Sequence, residues 1–239
     1  MIRLITFTDD NMTISAEQLR QSAMIHGVDE VTVYTPNQLD EFYLLSILTP
    51  LIKNSRGYGW WAWKPYIVMD AFRSAKDGDI LIYSDAGQQL VASVQPVINA
   101  MDEDIMLFSN GWQHSHWCKC EVARAINSNF FPHEDWFTGY DMKQVQASFI
   151  LFKINETTRK FVQEWYAWSL MPGFIDNTPR GPQFPEFQEH RHDQAILTCL
   201  QIKYGYKLHW FPSTTNQHQR TNESYDTTIL HHRRRNNEW

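Results

Sequence analysis

The chain has 239 residues, 43% of them hydrophobic and 20% charged, with a formal net charge of −6. That is an ordinary globular composition, long enough for a sizeable core, and its mild acidity argues against bulk nucleic-acid binding. No run of about 18 apolar residues occurs, so no integral membrane segment is expected.

Residues 2–8 are nearly continuous in apolar and β-branched side chains and read as a buried strand. Ser15 is expected to cap a helix that runs to residue 26, with Gly27 ending it. A strand at 31–34 and a Thr35-Pro36-Asn37 turn follow, then a helix over 39–49 with Pro50 just beyond it. Residues 53–59 read as a loop with two glycines, 64–73 as a helix and 80–83 as a strand. The order β, α, β, α, α, β predicts the α/β class, with a mostly parallel central sheet flanked by helices. Further on, a helix over 89–100 should break or kink at Pro96. Strands are expected at 106–109, 147–153 and 208–211, and helices at 157–170 and 194–203. Residues 110–141 read as irregular and aromatic, 171–189 as an exposed Pro- and Gly-containing loop, and the tail from 213 as polar. No linker divides the chain, so a single domain over 1–239 is expected.

Several residues stand out for their chemistry. Asp85 ends the strand Ile80-Leu81-Ile82-Tyr83, followed by Ala86 and Gly87, which leave room for a ligand. Ligands of open α/β sheets bind at such carboxyl ends. A carboxylate there suits Mg²⁺ or Mn²⁺; it equally suits a turn or a helix cap. Lys64 precedes Pro65 at a helix start, where its sign opposes the macrodipole; an anion facing both would explain it, and so would solvent. In His190-Arg191-His192-Asp193-Gln194, Asp193 reads as a helix cap, a general base or a sugar-hydroxyl ligand, and Arg191 as a partner for phosphate or a nearby acid. His231 and His232 follow Ile229-Leu230 in a basic tail that is either solvated or folded back as metal ligands. His114, His116, Cys118 and Cys120 offer soft ligands, at a spacing poor for structural zinc. The three cysteines, Cys118, Cys120 and Cys199, read as reduced thiols. With no signal-peptide pattern at the start, a cytoplasmic protein is expected.

Four ordered motifs carry a resemblance: Trp61-Ala62-Trp63-Lys64-Pro65, Tyr83-Ser84-Asp85-Ala86-Gly87, His190-Arg191-His192-Asp193-Gln194 and His231-His232-Arg233. Together they resemble bacterial and viral sugar transferases of the GT-A, Rossmann-like fold, and more distantly the glycogenin-like transferases. The resemblance implies a hexosyltransferase-like enzyme that moves a sugar from a nucleotide-diphosphate donor, expected to be UDP-linked, to a glycan or lipid-linked hydroxyl acceptor in polysaccharide synthesis, assisted by Mn²⁺ or Mg²⁺. It implies that Asp85 and one of His231 and His232 hold the metal, with Tyr83 standing where the first acid of a D-x-D would be. Lys64, Tyr83, Ser84, Arg191 and Gln194 would contact the donor. Thr6, Phe7 and Thr8 would meet the base and ribose. Asp193 and Asp85 would be the catalytic carboxylates. The alternative is a non-catalytic nucleotide- or sugar-binding module on the same fold. A nucleotidyltransferase is disfavoured, because Thr8-Asp9-Asp10-Asn11-Met12 is acidic and lacks glycine.

Overall fold

A computed structural model describes residues 1–52, 56–128, 142–171, 173–214, 224–232 and 234–238. Residues 53–55 of the expected glycine loop, 129–141 of the aromatic segment, 215–223 of the tail and Arg233 of the last motif lie outside the described residues.

The strands are β1 (Ile2–Phe7), β2 (Glu30–Tyr34), β3 (Ile80–Ser84), β4 (Gln88–Leu90), β5 (Ile105–Gln113), β6 (Lys143–Val145), β7 (Phe149–Lys153), β8 (Leu208–Trp210) and β9 (Ile229–His231). The helices are α1 (Thr13–Ile25), α2 (Thr49–Ile52), α3 (Gly57–Trp60), α4 (Trp63–Ser74), α5 (Gln95–Asn99), α6 (Cys120–Ile126), α7 (Glu156–Ser169) and α8 (His192–Tyr204).

Seven strands form the central sheet in the order β2-β1-β3-β7-β5-β6, with β8 also paired to β5. β1, β2, β3, β5 and β8 point one way, and β6 and β7 run against them. The expected α/β class with a mostly parallel sheet is therefore what the chain adopts. β4 and β9 form a separate antiparallel pair.

Both faces of the sheet are covered, and strand alternation distributes the core. Leu81 and Tyr83 of β3 pack with Ile150 and Phe152 of β7 on the face that α4, α7 and α8 cover. Ile82, Phe149 and Leu151 face the other way, with Leu19 of α1 and Val97 of α5. Each such fully buried side chain contributes roughly 1.5–3 kcal/mol from burial. The alternation puts Tyr83 and the residue two further on, Asp85, on the α4 side, so the first turn of α4 meets the end of β3.

Several expectations are corrected. Ser15 lies inside α1 rather than capping it; its Oγ donates to the Arg234 carbonyl at 2.5 Å. The N–H of Ile14 instead donates to Asn236 Oδ1 at 3.0 Å, so a cap comes from the far end of the chain. Residues 89–100 are not one helix: residues 88–90 are β4, and Pro96 belongs to the first turn of α5, where its missing N–H costs nothing. Tyr43–Leu48 is π-helical, and Pro50 lies within α2 rather than beyond the helix. The segment read as irregular contains the second half of β5 and all of α6. Asp193 does not cap α8; Arg191 holds that position and Asp193 stands in the first turn.

Candidate active site

Residues 57–61 set one wall of the site. All five have positive φ: Gly57 63°, Tyr58 52°, Gly59 88°, Trp60 59° and Trp61 59°. Left-handed backbone costs a non-glycine residue about 1–2 kcal/mol, so this turn persists only because its surroundings hold it. Trp63 Nε1 donates to the Gly57 carbonyl at 3.0 Å, and Trp60 stacks on His192 with ring centroids 4.3 Å apart. Gly57 is required on two counts: its φ, and a Cβ there would run into the Trp61 ring. After this turn, α4 begins, with Lys64 facing the sheet.

Lys64 is the hub. Its Nζ lies 2.8 Å from Asp193 Oδ2 and 3.5 Å from Asp85 Oδ1, and it donates to the Ala147 carbonyl at 3.0 Å. It also sits 5.0 Å over the Tyr83 ring. The Lys64 and Asp193 side chains are only 4% and 5% exposed, while that of Asp85 is 35% exposed. Burial works against the Lys64 charge, but the two facing carboxylates outweigh it and hold the ammonium protonated. For Asp193, burial dominates and pushes the carboxyl up to about 6, against the pull of Lys64. Three carriers of charge from three distant stretches thus meet at the carboxyl end of β3.

Tyr83 donates to Asp85 Oδ1 at 2.6 Å. Burial, and next the Asp85 charge, push its phenol well above the usual range, so it remains a donor. Tyr83 therefore fixes the neighbouring carboxylate. Gln194 holds the adjoining strand: its Oε1 accepts from the Ala147 N–H at 3.2 Å, and its Nε2 donates to Gln144 Oε1 at 2.8 Å. Trp165 of α7 donates to the Asp193 carbonyl at 3.3 Å from the core side.

These groups open into a cleft of about 1120 Å³. Of the residues expected from sequence, Phe7, Lys64, Tyr83, Asp85, Arg191, Asp193, Gln194, His231 and His232 line it. Thr6, Thr8 and Ser84 do not. Thr6 is fully buried, Thr8 Oγ1 donates to the Asp9 carbonyl at 2.8 Å, and Ser84 Oγ donates to Gln88 Oε1 at 2.7 Å. The tail does fold back: β9 pairs with β4, and the His232 N–H donates to the Gly87 carbonyl at 3.1 Å, two residues from Asp85.

The metal expectation can be tested on these donors. Asp85 and the two imidazoles share one cleft, but among the described residues they do not form a cluster of three ligand atoms within 4.8 Å. One Asp85 oxygen already accepts from Tyr83, and His232 Nδ1 accepts from the Arg234 N–H at 3.0 Å. The set fits a divalent cation completed by substrate oxygens, as Mg²⁺ commonly is, not one held by the protein alone.

Arg191 and Arg56 converge on one acceptor, at 2.9 Å and 3.0 Å from Glu189 Oε1. Arg191 also lies 4.5 Å over Trp117 and 5.4 Å over Trp112. Sequence reasoning missed Arg56, Tyr58 and His192 as cleft residues. The last sits inside a quoted motif; burial pushes it down to about 4, so it is a neutral ring whose Nδ1 lies 2.7 Å from the Ile175 carbonyl. Tyr58 and Arg56 leave no sequence signal beyond their closeness to the tryptophan cluster.

No protein-family model and no curated protein matches the chain. Among solved structures it is similar to the WbbM bifunctional glycosyltransferase (10% identity, TM-score 0.48), of which it spans only 37% while 83% of this chain is covered. It is similar to mouse xyloside xylosyltransferase 1 at 11% identity and TM-score 0.46, with 96% of each chain covered. A glycosyltransferase involved in glycosylation of the major capsid of PBCV-1 matches at 10% identity and TM-score 0.48, with 96% of this chain and 91% of that one covered. No helix among the described residues is long and apolar enough to cross a membrane.

Proposed function

We propose that this chain is a glycosyltransferase that moves a sugar from a nucleoside-diphosphate donor to a hydroxyl acceptor. The observation that carries the reading is the Lys64 hub: Lys64, Asp85 and Asp193, from three separate motifs, meet within 3.5 Å at the carboxyl end of a sheet strand. The fourth motif is bonded by its backbone to the turn that follows Asp85.

Phe7 and Tyr58 give the cleft aromatic faces suited to a base, and the Asp9 carboxylate suits ribose hydroxyls. Arg56 and Arg191 supply the charge for the diphosphate, exchanging Glu189 for phosphate oxygens. Lys64 pairs with both carboxylates and orients them rather than projecting as a separate cation. A Mg²⁺ or Mn²⁺ ion, when bound, would be held by Asp85 and an imidazole of His231 or His232 and would stabilise the charge growing on the leaving diphosphate. Asp193 binds a sugar hydroxyl. If that hydroxyl belongs to the acceptor, Asp193 takes its proton and the product anomer is inverted. If it belongs to the donor, Asp193 orients the ring and the anomer is retained. The product's anomeric configuration distinguishes the two.

The test is thermal unfolding with UDP, GDP, CDP and dTDP, each with and without Mn²⁺, followed by assay of the matching sugar donors. A ligand that binds only the folded state raises the melting temperature by mass action. UDP is the expected winner. A rise with no sugar released or transferred would favour the binding-module reading, and no rise with any of the four removes the donor site altogether.

A further inference from the structure

A second cluster of reactive groups lies on the same face of the sheet, away from the cleft. His114, Cys118 and Cys199 are all fully buried, and their ligand atoms lie within 4.8 Å of one another. His114 Nε2 is 3.4 Å from Cys199 Sγ, and Cys118 Sγ is 3.7 Å from Cys199 Sγ. The cysteines are not bonded to each other: a disulfide would bring the sulfurs to about 2.05 Å, and all three cysteines of the chain are free.

We infer that His114, Cys118 and Cys199, with one enclosed water as the fourth ligand, bind a thiophilic d10 cation, zinc(II) in the first place, as a structural staple. The distances carry this. Zinc bonds of about 2.3 Å to sulfur and about 2.0–2.1 Å to nitrogen, at tetrahedral angles, place two sulfurs about 3.8 Å apart and a sulfur and a nitrogen about 3.6 Å apart. Two of the three separations, 3.7 Å and 3.4 Å, are close to these, and the third is within 4.8 Å. The charge balance agrees. Two thiols release their protons to solvent, and two thiolates with a neutral imidazole then cancel the two charges of zinc. A neutral site is tolerable where none of the three residues is exposed; copper(I), the other soft cation such ligands select, would leave one negative charge. Without a cation the Cys118 thiol stays protonated, since burial pushes it well above the usual range.

The location gives the staple a task. Cys199 lies on α8, whose first turn carries Asp193. His114 follows β5 directly, two residues after Trp112 of the cleft wall. A metal here would tie the chain after β5 to the helix that delivers Asp193. It is not a catalytic centre, because its ligands have no access to the cleft or to solvent. Cys120, singled out in sequence with Cys118, is not a ligand.

Protein purified without chelator should hold about one zinc per chain, as expected for a site that couples binding to folding, measured by elemental mass spectrometry. Cobalt(II) loaded in place of zinc should give the near-ultraviolet thiolate-to-metal absorption. That readout needs no variant and survives a folding failure. Cys118→Ser and Cys199→Ser should lose the metal and the band, whereas Cys120→Ser keeps both. Copper at one per chain supports the site and names copper(I) as its ion. Wild-type protein that takes up neither zinc, copper(I) nor cobalt(II) at one per chain overturns the inference. So does a cobalt band that persists in Cys118→Ser and Cys199→Ser, or loss of two thiols to a disulfide with no metal bound.

Discussion

Two groups of titratable side chains occupy the same face of the sheet, and α8 contributes to both. At Asp193 the helix meets Lys64 and Asp85; at Cys199 it meets Cys118 and His114. The first group is charged and partly open, with Asp85 35% exposed at the cleft. The second is sealed. The contrast separates two uses of buried polarity. Charges that must meet a ligand are held against each other and kept near an opening. The His114, Cys118 and Cys199 group is shut in, where an unpaired charge would be costly. Tyr83 shows how the open group is tuned, because its hydroxyl orients Asp85 without adding a further charge.

The largest expected effect breaks the open group. Asp193→Asn should lower turnover by roughly 10²–10⁴, the range for a positioned proton-transfer group, while circular dichroism and nucleotide binding persist. Near-wild-type turnover in that variant would remove Asp193 from the chemistry. Next, Lys64→Met leaves two carboxylates facing each other without their cation and should cost about 3–5 kcal/mol of stability by denaturant unfolding. Adding Asp193→Asn to it should recover part of the loss. No recovery would mean the pair is not coupled.

The pH profile sharpens the contrast. The proposed mechanism needs Asp193 ionised, and burial lifts its carboxyl to about 6. Activity should therefore be level above about pH 7 and fall about tenfold per pH unit below 6 as the group takes up a proton. A profile flat down to pH 5 would place the relevant carboxylate elsewhere. Tyr83→Phe comes next: it removes one hydrogen bond at 2.6 Å and should cost about 0.5–1.5 kcal/mol, with a larger effect on activity than on stability. Asn236→Ala is the smallest, about 1 kcal/mol, the usual worth of a helix cap; a change within error would show that the tail contact does not hold α1.

Much of the layout was legible in the chain. Continuous apolar runs marked β1 and β3, because strands covered on both faces need no polar side. The sequence also flagged Lys64 and Asp85 by their misfit with local structure, and Asp193 by its place in the motif at a helix start. What it did not show was their pairing. Lys64 read alone suggested either an anion such as phosphate or plain solvent; folded, it is committed to two carboxylates and a carbonyl.

Local pattern determined the element types, the α/β class and the residues worth suspecting, since hydrophobic period and turn chemistry act over a few positions. Tertiary structure alone decided the rest. It moved the N-terminal cap of α1 to Asn236, brought Cys199 to Cys118, and stabilised five consecutive left-handed residues before α4. The physical reason is common to all three. Each depends on partners distant in the chain, in two cases 222 and 81 residues away, and a contact closed by the fold leaves no periodicity in the sequence that makes it.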